Sequence, residues 1–524
     1  KGFKVGIIPQ PINDLDYQVC GRPKYFFCIS SGLLDSMLAN YTPMLKKREN
    51  ILVPERALQV YTQKIKSFYK GCMTILGGLE SNIRRFTHFD YRTNKLRSGI
   101  LHDTKADLLI FGNERAILTI LNRIKITKEA KTDFEKVKDS LDLKTIPGIA
   151  YRIKKEEVDQ PLLPSFEDCE KNKESFSELT KQIYLNQESS FIEPCGLGFI
   201  KHNENTLSLT EEEMDYIYEL PFTRELHPKT KNLYELKEHI QKLRNSVIMG
   251  RGCWGSCSFC IIPLVQGKQI SQRSKESILK EIKNLYQEGQ RIISDLTMPT
   301  INMYGSKCLL YNVPEKLYSP VVQKTITINK KIQSCNQNCV GCKFRKVNID
   351  LTFLLKDIEK VRRNNPRNIF ELRSAIRHDI ILEQKDLLKE ILKYVTRLKI
   401  APEHTSKNVL KAMNKSNPGT FEEFIYFYKS LNPHSPLVPY FIAAHPGCTK
   451  KDMEELKKFC EKYNLKVNLT QIFTPTPGTM STCMYYTGEN PITKEKLYVP
   501  RTFREKKDQK NILFSNEDLI DENA

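Results

Sequence analysis

Short apolar runs alternate with amphipathic helical stretches over residues 246–475, and this rhythm restricts the chain to a layered α/β fold. The strand-like runs are SVIMG (246–250), RIISDLT (291–297), NIFELRS (368–374), RLKIAPEH (397–404), LVPYFIAAH (437–445) and KVNLTQIFTP (466–475). Between them lie SKESILKEIKNLY (274–286), LTFLLKDIEKVRRN (351–364), QKDLLKEILKYV (384–395) and DMEELKKFCEKYN (452–464), whose apolar positions recur at helical spacing. Six such units predict a partial (β/α)6 TIM-type barrel over 236–487, with a cysteine-bearing insertion at 304–350. Chemistry in barrels of this kind sits at the C-terminal mouth of the strands.

The first 125 residues repeat the alternation at shorter range, in FKVGIIP, YFFCISS (25–31), CMTILGG (72–78) and DLLIFGN (107–113). They predict a Rossmann-like, doubly wound domain over 1–125 that opens directly on a strand, as if an earlier strand and helix lay upstream. Residues 126–235 are charged and irregular and are expected to form a connecting region with helices. Residues 488–524 turn polar and are expected to wrap the surface or fray.

A chain of 524 residues is too long for one core, and no apolar run reaches the roughly 18 residues of a spanning helix. The opening KGFKVGIIPQ lacks a secretory pattern, so a cytoplasmic protein without membrane contact is expected. Lysine and arginine exceed aspartate and glutamate by 82 − 62 = +20. That excess suits either nucleic acid or lysines spread over solvated helix faces, and charge alone does not choose.

Fifteen cysteines in a long chain of this kind, gathered in clusters, favour metal over disulfides. RGCWGSCSFC (251–260) sets Cys253, Cys257 and Cys260 at C-x-x-x-C-x-x-C spacing just after the first barrel run. Thiolates suit iron–sulfur clusters or zinc, and structural zinc wants four ligands where this loop offers three. Gly252 and Gly255 allow a tight fold around a cluster, and Phe259 is placed to shield it. SCNQNCVGC (334–342) repeats the spacing with Cys335, Cys339 and Cys342. Cys308 upstream supplies a fourth thiol for a second candidate site, an auxiliary iron–sulfur cluster or zinc.

The triad with an aromatic before its third cysteine resembles the radical SAM superfamily. The segment SVIMGRGCWGSCSFCIIPLVQGKQISQRSKESILKEI is similar to its YgiQ-type branch, as are ILGGLESNIRR (75–85), LKIAPEHTS (398–406), VPYFIAAHPG (438–447) and TPTPGTMSTCMYYTG (474–488). The resemblance implies a 4Fe–4S cluster on Cys253, Cys257 and Cys260. It further implies S-adenosylmethionine (SAM), cleaved reductively to methionine and a 5′-deoxyadenosyl radical, and a reductant such as a flavodoxin or ferredoxin. Ser374 and Arg377, in RSAIRHD, match the family's Ser-x-x-Arg and are implied to bind SAM. The Gly-Gly-Glu-like turn of the family is replaced by Asp295-Leu296-Thr297. Glu403, His404 and His445 end later strands and suit either proton movement or packing. The order of elements before the barrel resembles a cobalamin-binding domain, yet the D-x-H-x-x-G sequence is missing, so no cobalamin is expected. The substrate is not named by any motif. An RNA-modifying enzyme of this superfamily and a zinc-stabilised nucleic-acid-binding protein stay open as other readings.

Overall fold

The computed structural model describes residues 2–49, 51–126, 134–231, 243–333, 335, 339–467 and 469–514. Strands β1 (Phe27–Ile29), β2 (Thr74–Leu76), β3 (Leu108–Ile110), β4 (Ile149–Ile153), β5 (Phe191–Cys195) and β6 (Gly198–His202) make one sheet in the order β1-β2-β3-β4-β6-β5. Helices α1 (Ala57–Phe68) and α2 (Glu114–Ile126) cover its two faces. Strand alternation assigns the sides. Leu76 and Leu109 pack with Leu58 and Ile65 of α1, whereas Ile75 and Leu108 pack with Ala116 and Ile120 of α2.

This sheet corrects two expectations. It is mixed rather than doubly wound, because β1–β2 and β2–β3 are parallel while β4, β5 and β6 join antiparallel. It also draws three strands from 126–235, the segment expected only to connect. Arg152, Glu193 and Lys201 interrupt the apolar pattern of those strands, and each finds a partner once folded. Arg152 donates to the carbonyls of Ala106 and Leu101, Glu193 accepts from the Thr87 amide, and Lys201 pairs with Asp159. The strand expected over 3–9 does not form, and Val5 and Ile7 are exposed. Pro9 and Pro11 end that apolar run, and β1 is the sheet's edge.

In the second unit β7 (Ser246–Ile248) pairs parallel with β8 (Asp295–Thr297), and Ile292–Ile293 pairs parallel with β9 (Ile369–Phe370). β10 (Leu398–Glu403), β11 (Leu437–Ala443) and β12 (Leu469–Ile472) follow as a parallel ladder, and an Ile376–Ile400 bridge leads into it. These are short ladders in chain order, and they do not close into a barrel among the described residues. Helix α3 (Lys275–Gln287) shows how the flanking layer arises. Ser274 caps it by accepting the Ser277 amide, and Ile278, Ile282 and Leu285 bury one stripe. One core joins Val247, Leu296, Leu398 and Phe441 of the strands to Ile278, Leu354, Phe424 and Leu456 of the helices.

The insertion is a hairpin, β13 (Tyr311–Ser319) with β14 (Lys324–Lys331), and Val321 at its turn packs on Leu209 and Met214. The polar end of the chain carries helix α4 (Phe503–Asn511). Its Lys506 is buried and donates to the hydroxyls of Tyr91 and Tyr485, both at 2.9 Å. No helix among the described residues is long and apolar enough to cross a membrane.

Candidate active site

The loop carrying Cys253, Cys257 and Cys260 leaves and returns along one short ladder, Gly250–Arg251 against Ser271–Gln272. Other segments pin it between those ends. The Cys253 amide donates to the Gly267 carbonyl at 3.2 Å, and the Ser258 amide donates to the Met413 carbonyl at 2.8 Å. The Ser258 carbonyl accepts the Ser481 amide at 2.8 Å. Tyr184 Oη and Asn414 Nδ2 both donate to the Ser256 carbonyl, at 2.9 and 2.8 Å. Arg251 pairs with Glu114 of the first unit at 2.8 Å, tying the loop's start across the molecule.

Both glycines of the motif are required. Gly252 has φ +87°, and a Cβ there would lie 2.1 Å from the Gln269 carbonyl. At Gly255 a Cβ would stand 2.8 Å from Arg377 Nη1, 3.3 Å from Cys253 Sγ and 3.6 Å from Cys257 Sγ. The space between two thiols and a guanidinium therefore exists only because residue 255 has no side chain. The Gly255 amide donates to Cys253 Sγ at 3.3 Å, and a Cys260 amide to Cys257 carbonyl bond of 3.0 Å closes the C-x-x-C turn. Burial raises the Cys253 and Cys260 thiols, the latter to about 12, with Arg377 opposing the rise at Cys253. A thiol in such a place ionises only with a cation beside it, the condition a metal satisfies.

Arg377 comes to the loop from beyond β9. Its Nη1 is 3.7 Å from Cys257 Sγ, while Nε and Nη2 hold the two carboxylate oxygens of Asp379 at 2.9 and 2.5 Å. Burial works against both charges, but the paired geometry holds Asp379 far below the usual carboxylate range and Arg377 above its own. Asn302 fixes the backbone here, accepting the Arg377 amide and donating to its carbonyl, and Gln384 braces Asn302 in turn. Ser374 is placed differently. Its hydroxyl donates to Asp295 Oδ2 at 2.6 Å, and Asp295 Oδ1 accepts the amides of Arg373 and Ser374. The chain thus brings Arg377 to the cysteines and ties Ser374 to Asp295, the first residue of β8.

Glu403 ends β10 with φ +69° and is buried. Its Oε1 is 3.7 Å from Lys415 Nζ, but Oε2 has no hydrogen-bond partner among the described residues. Burial raises its carboxyl, and Lys415 and Arg377 oppose the rise. Lys415 also acts on Cys260, so Glu403, Lys415, Arg377 and the thiols share one charged neighbourhood. The two histidines do not join it as proton carriers. His404 and His445 are held neutral by burial, which lowers them to about 4 and about 3. His445 uses its nitrogens on the Pro446 carbonyl and Ser481 Oγ, and His404 uses its own on the Ser406 amide and Met453 Sδ.

Asn302, Gln384, Lys415 and Thr300, whose hydroxyl lies 3.7 Å from Cys253 Sγ, escaped the reading of the sequence. The signal available for them was polarity in segments otherwise buried, visible only once the loops are placed. A cavity of about 830 Å³ opens between the first unit and the hairpin, lined by Arg115, Thr119, Lys268, Tyr311 and Lys331. It shares Pro263 and Gly267 with the segment that follows the cysteines.

The donor set fits a cluster. Three thiols rise from one pinned loop, a side-chain-free cradle lies between two of them, and a fixed cation stands against the second. No three Cys, His, Asp or Glu side chains among the described residues are gathered tightly enough for a single ion. In a cubane each thiolate takes its own iron, so its ligands stand further apart.

A family model described as radical SAM N-terminal matches residues 1–244, and a domain of unknown function matches 468–518. A UPF0313 protein of Methanocaldococcus jannaschii is 37% identical over 99% of this chain and 85% of its own length. The chain belongs to the UPF0313 family. A second UPF0313 protein, from Fusobacterium nucleatum, is 37% identical over 98% of this chain and 90% of its own length. With the radical SAM N-terminal match over residues 1–244, this chain is a radical SAM enzyme. A solved structure of the radical SAM methyltransferase TsrM from Kitasatospora setae, with cobalamin and a 4Fe–4S cluster bound, has TM-score 0.47 and 11% identity. It covers 95% of this chain and 72% of TsrM.

Proposed function

We infer that this UPF0313 protein cleaves SAM reductively on a 4Fe–4S cluster held by Cys253, Cys257 and Cys260, and acts by hydrogen abstraction on a substrate not yet identified. The chemistry such a cluster supplies is one electron to the SAM sulfonium, with release of methionine and a 5′-deoxyadenosyl radical. The ladders from β7 to β12 then read as a partial (β/α)6 barrel whose mouth is this loop. The reading is supported above all by Gly255, whose missing side chain leaves room bounded by two thiols and the Arg377 guanidinium.

The chain's own residues have definite work in this scheme. Arg377 places a positive charge against the Cys257 sulfur, and Asp379 keeps the guanidinium from swinging away. Glu403 Oε2, buried and unsatisfied, awaits a hydroxyl or ammonium donor from bound SAM. Asp295 and Ser374 lock the start of β8 to the segment after β9, so Ser374 positions the wall of the site. Trp254 is fully buried, and Phe259 packs edge-on against His445, so apolar groups flank the triad and keep water out.

The test is anaerobic reconstitution with iron, sulfide, a strong reductant and SAM, followed by chromatography for 5′-deoxyadenosine and methionine. Both products are expected in wild type and neither in C257A. SAM left intact by reduced, iron-loaded protein overturns the reading.

A further inference from the structure

Outside this loop the molecule gathers four more cysteines. Cys308 lies on the two-residue strand Lys307–Cys308, directly opposite Arg345 of the antiparallel strand Arg345–Lys346. The same corner is closed by the Leu309 amide on the Phe344 carbonyl at 2.8 Å and the Arg345 amide on the Cys342 carbonyl at 3.2 Å. These bonds bring Cys308 beside the turn that carries Cys339 and Cys342. That turn repeats the geometry of the first loop. The Cys342 amide donates to the Cys339 carbonyl at 3.2 Å, as the Cys260 amide does to Cys257 at 3.0 Å. The amide of Phe344 also donates to Cys342 Sγ at 3.4 Å, on the last cysteine of this motif, where in the first loop the Gly255 amide donates to the first, Cys253, at 3.3 Å. Cys339 is half-buried, and the thiols of Cys308, Cys335 and Cys342 and the Lys268 ammonium all lie near enough to act on it electrostatically. All four sulfurs therefore share one neighbourhood with a lysine.

We propose that Cys308, Cys335, Cys339 and Cys342 bind a second iron–sulfur cluster, closed by four thiolates. The repeated C-x-x-x-C-x-x-C spacing and the repeated amide-to-carbonyl turn between its last two cysteines favour iron–sulfur over zinc, since the first loop already suits that cluster. Four thiolates leave no iron for an outside ligand, so this site carries electrons or braces the insertion rather than binding SAM. Its place favours electron transfer. The Gly267 carbonyl accepts the Cys253 amide of the first site, and the next residue, Lys268, stands in the field of Cys335 and Cys339 of the second. One short segment touches both.

The experiment is metal and sulfide analysis of C253A/C257A/C260A, prepared anaerobically and reconstituted with iron and sulfide alone. About four irons and four sulfides per chain are expected to remain, with broad visible absorption and a paramagnetic signal on reduction. Iron-free or zinc-loaded protein with native circular dichroism overturns the proposal. Should the triple variant fail to fold, the wild type decides, with about eight irons supporting the second cluster and about four overturning it. Iron retained by the variant reports this site alone. It stands even if wild type leaves SAM uncleaved, an outcome that removes only the catalytic reading.

Discussion

Arg377 touches the sulfur of Cys257 at 3.7 Å while gripping both oxygens of Asp379, so one side chain joins the cysteine loop to the segment after β9. Arg377→Ala leaves Asp379 buried without its partner, a loss of about 3–5 kcal/mol. The double variant R377M/D379L removes both charges and is expected to recover most of that stability in denaturant titration. It is also expected to hold SAM and the cluster poorly, because the cation against Cys257 is gone and only Lys415 is left near the thiolates. Iron content that matches wild type in the double variant would refute the electrostatic role.

Gly252→Ala and Gly255→Ala separate folding from cluster binding. At 252 the new Cβ meets backbone at 2.1 Å in a left-handed conformation, so the loop itself is strained, by at least about 1–3 kcal/mol. At 255 the Cβ meets side-chain atoms only, two thiols and Arg377. G255A is therefore expected to melt near wild type yet lose most of its iron, whereas G252A loses thermal stability as well. Equal melting temperatures for the two variants would contradict this division.

How much of this was legible beforehand depends on where partners lie in sequence. The cysteine loop is local, so Cys253, Cys257, Cys260 and their glycines could be read directly. β1, β2 and β3 are apolar but for Thr74 and equally plain. β4, β5 and β6 were hidden because Arg152, Glu193 and Lys201 break their patterns, and the compensating partners are tens of residues away. Lys506 misled in the same way. It sits in a polar helix, yet two tyrosine hydroxyls from distant segments let it be buried, and burial lowers its amine to about 8. The left-handed backbone at Glu403 and the Asp295–Ser374 bond depend on packing between strands and leave no mark on either segment alone.

Glu403 offers a cleaner probe of SAM binding than any cysteine. Its Oε2 makes no internal hydrogen bond among the described residues, and Glu403→Gln keeps the side chain's shape while giving up the buried ion pair with Lys415, so its melting temperature is measured beside its affinity. Gln still offers an oxygen acceptor, so the variant loses only the charge-assisted part of a hydrogen bond from bound SAM, about 1–1.5 kcal/mol or roughly 5- to 13-fold in affinity. Equilibrium dialysis of SAM against reconstituted E403Q is expected to show a loss in that range with iron content unchanged. Unaltered affinity would take Glu403 out of the site.

Glu193 on β5 predicts a pH dependence that belongs to the fold. Burial raises its carboxyl from 4.5 to about 7, partly offset by its bond to the Thr87 amide and by Arg85, and Glu167 adds to the rise. Between those pH values the folded chain holds a proton that the unfolded chain has released, so this group's contribution falls as pH climbs and is fully lost above about 7. The span corresponds to about 3 kcal/mol. His202, 3.9 Å from Glu193 Oε2, tilts the other way, because burial and Arg85 keep its ring neutral while the unfolded ring protonates below about 6.5. The wild-type profile therefore mixes both slopes. Glu193→Gln removes one of them, so the difference between variant and wild type should grow in the variant's favour from pH 5 to pH 8 by up to that amount. Urea titrations at matched pH values measure it directly. A difference that stays flat across the range would mean Glu193 titrates as it would in water, and that its buried setting on β5 is wrong.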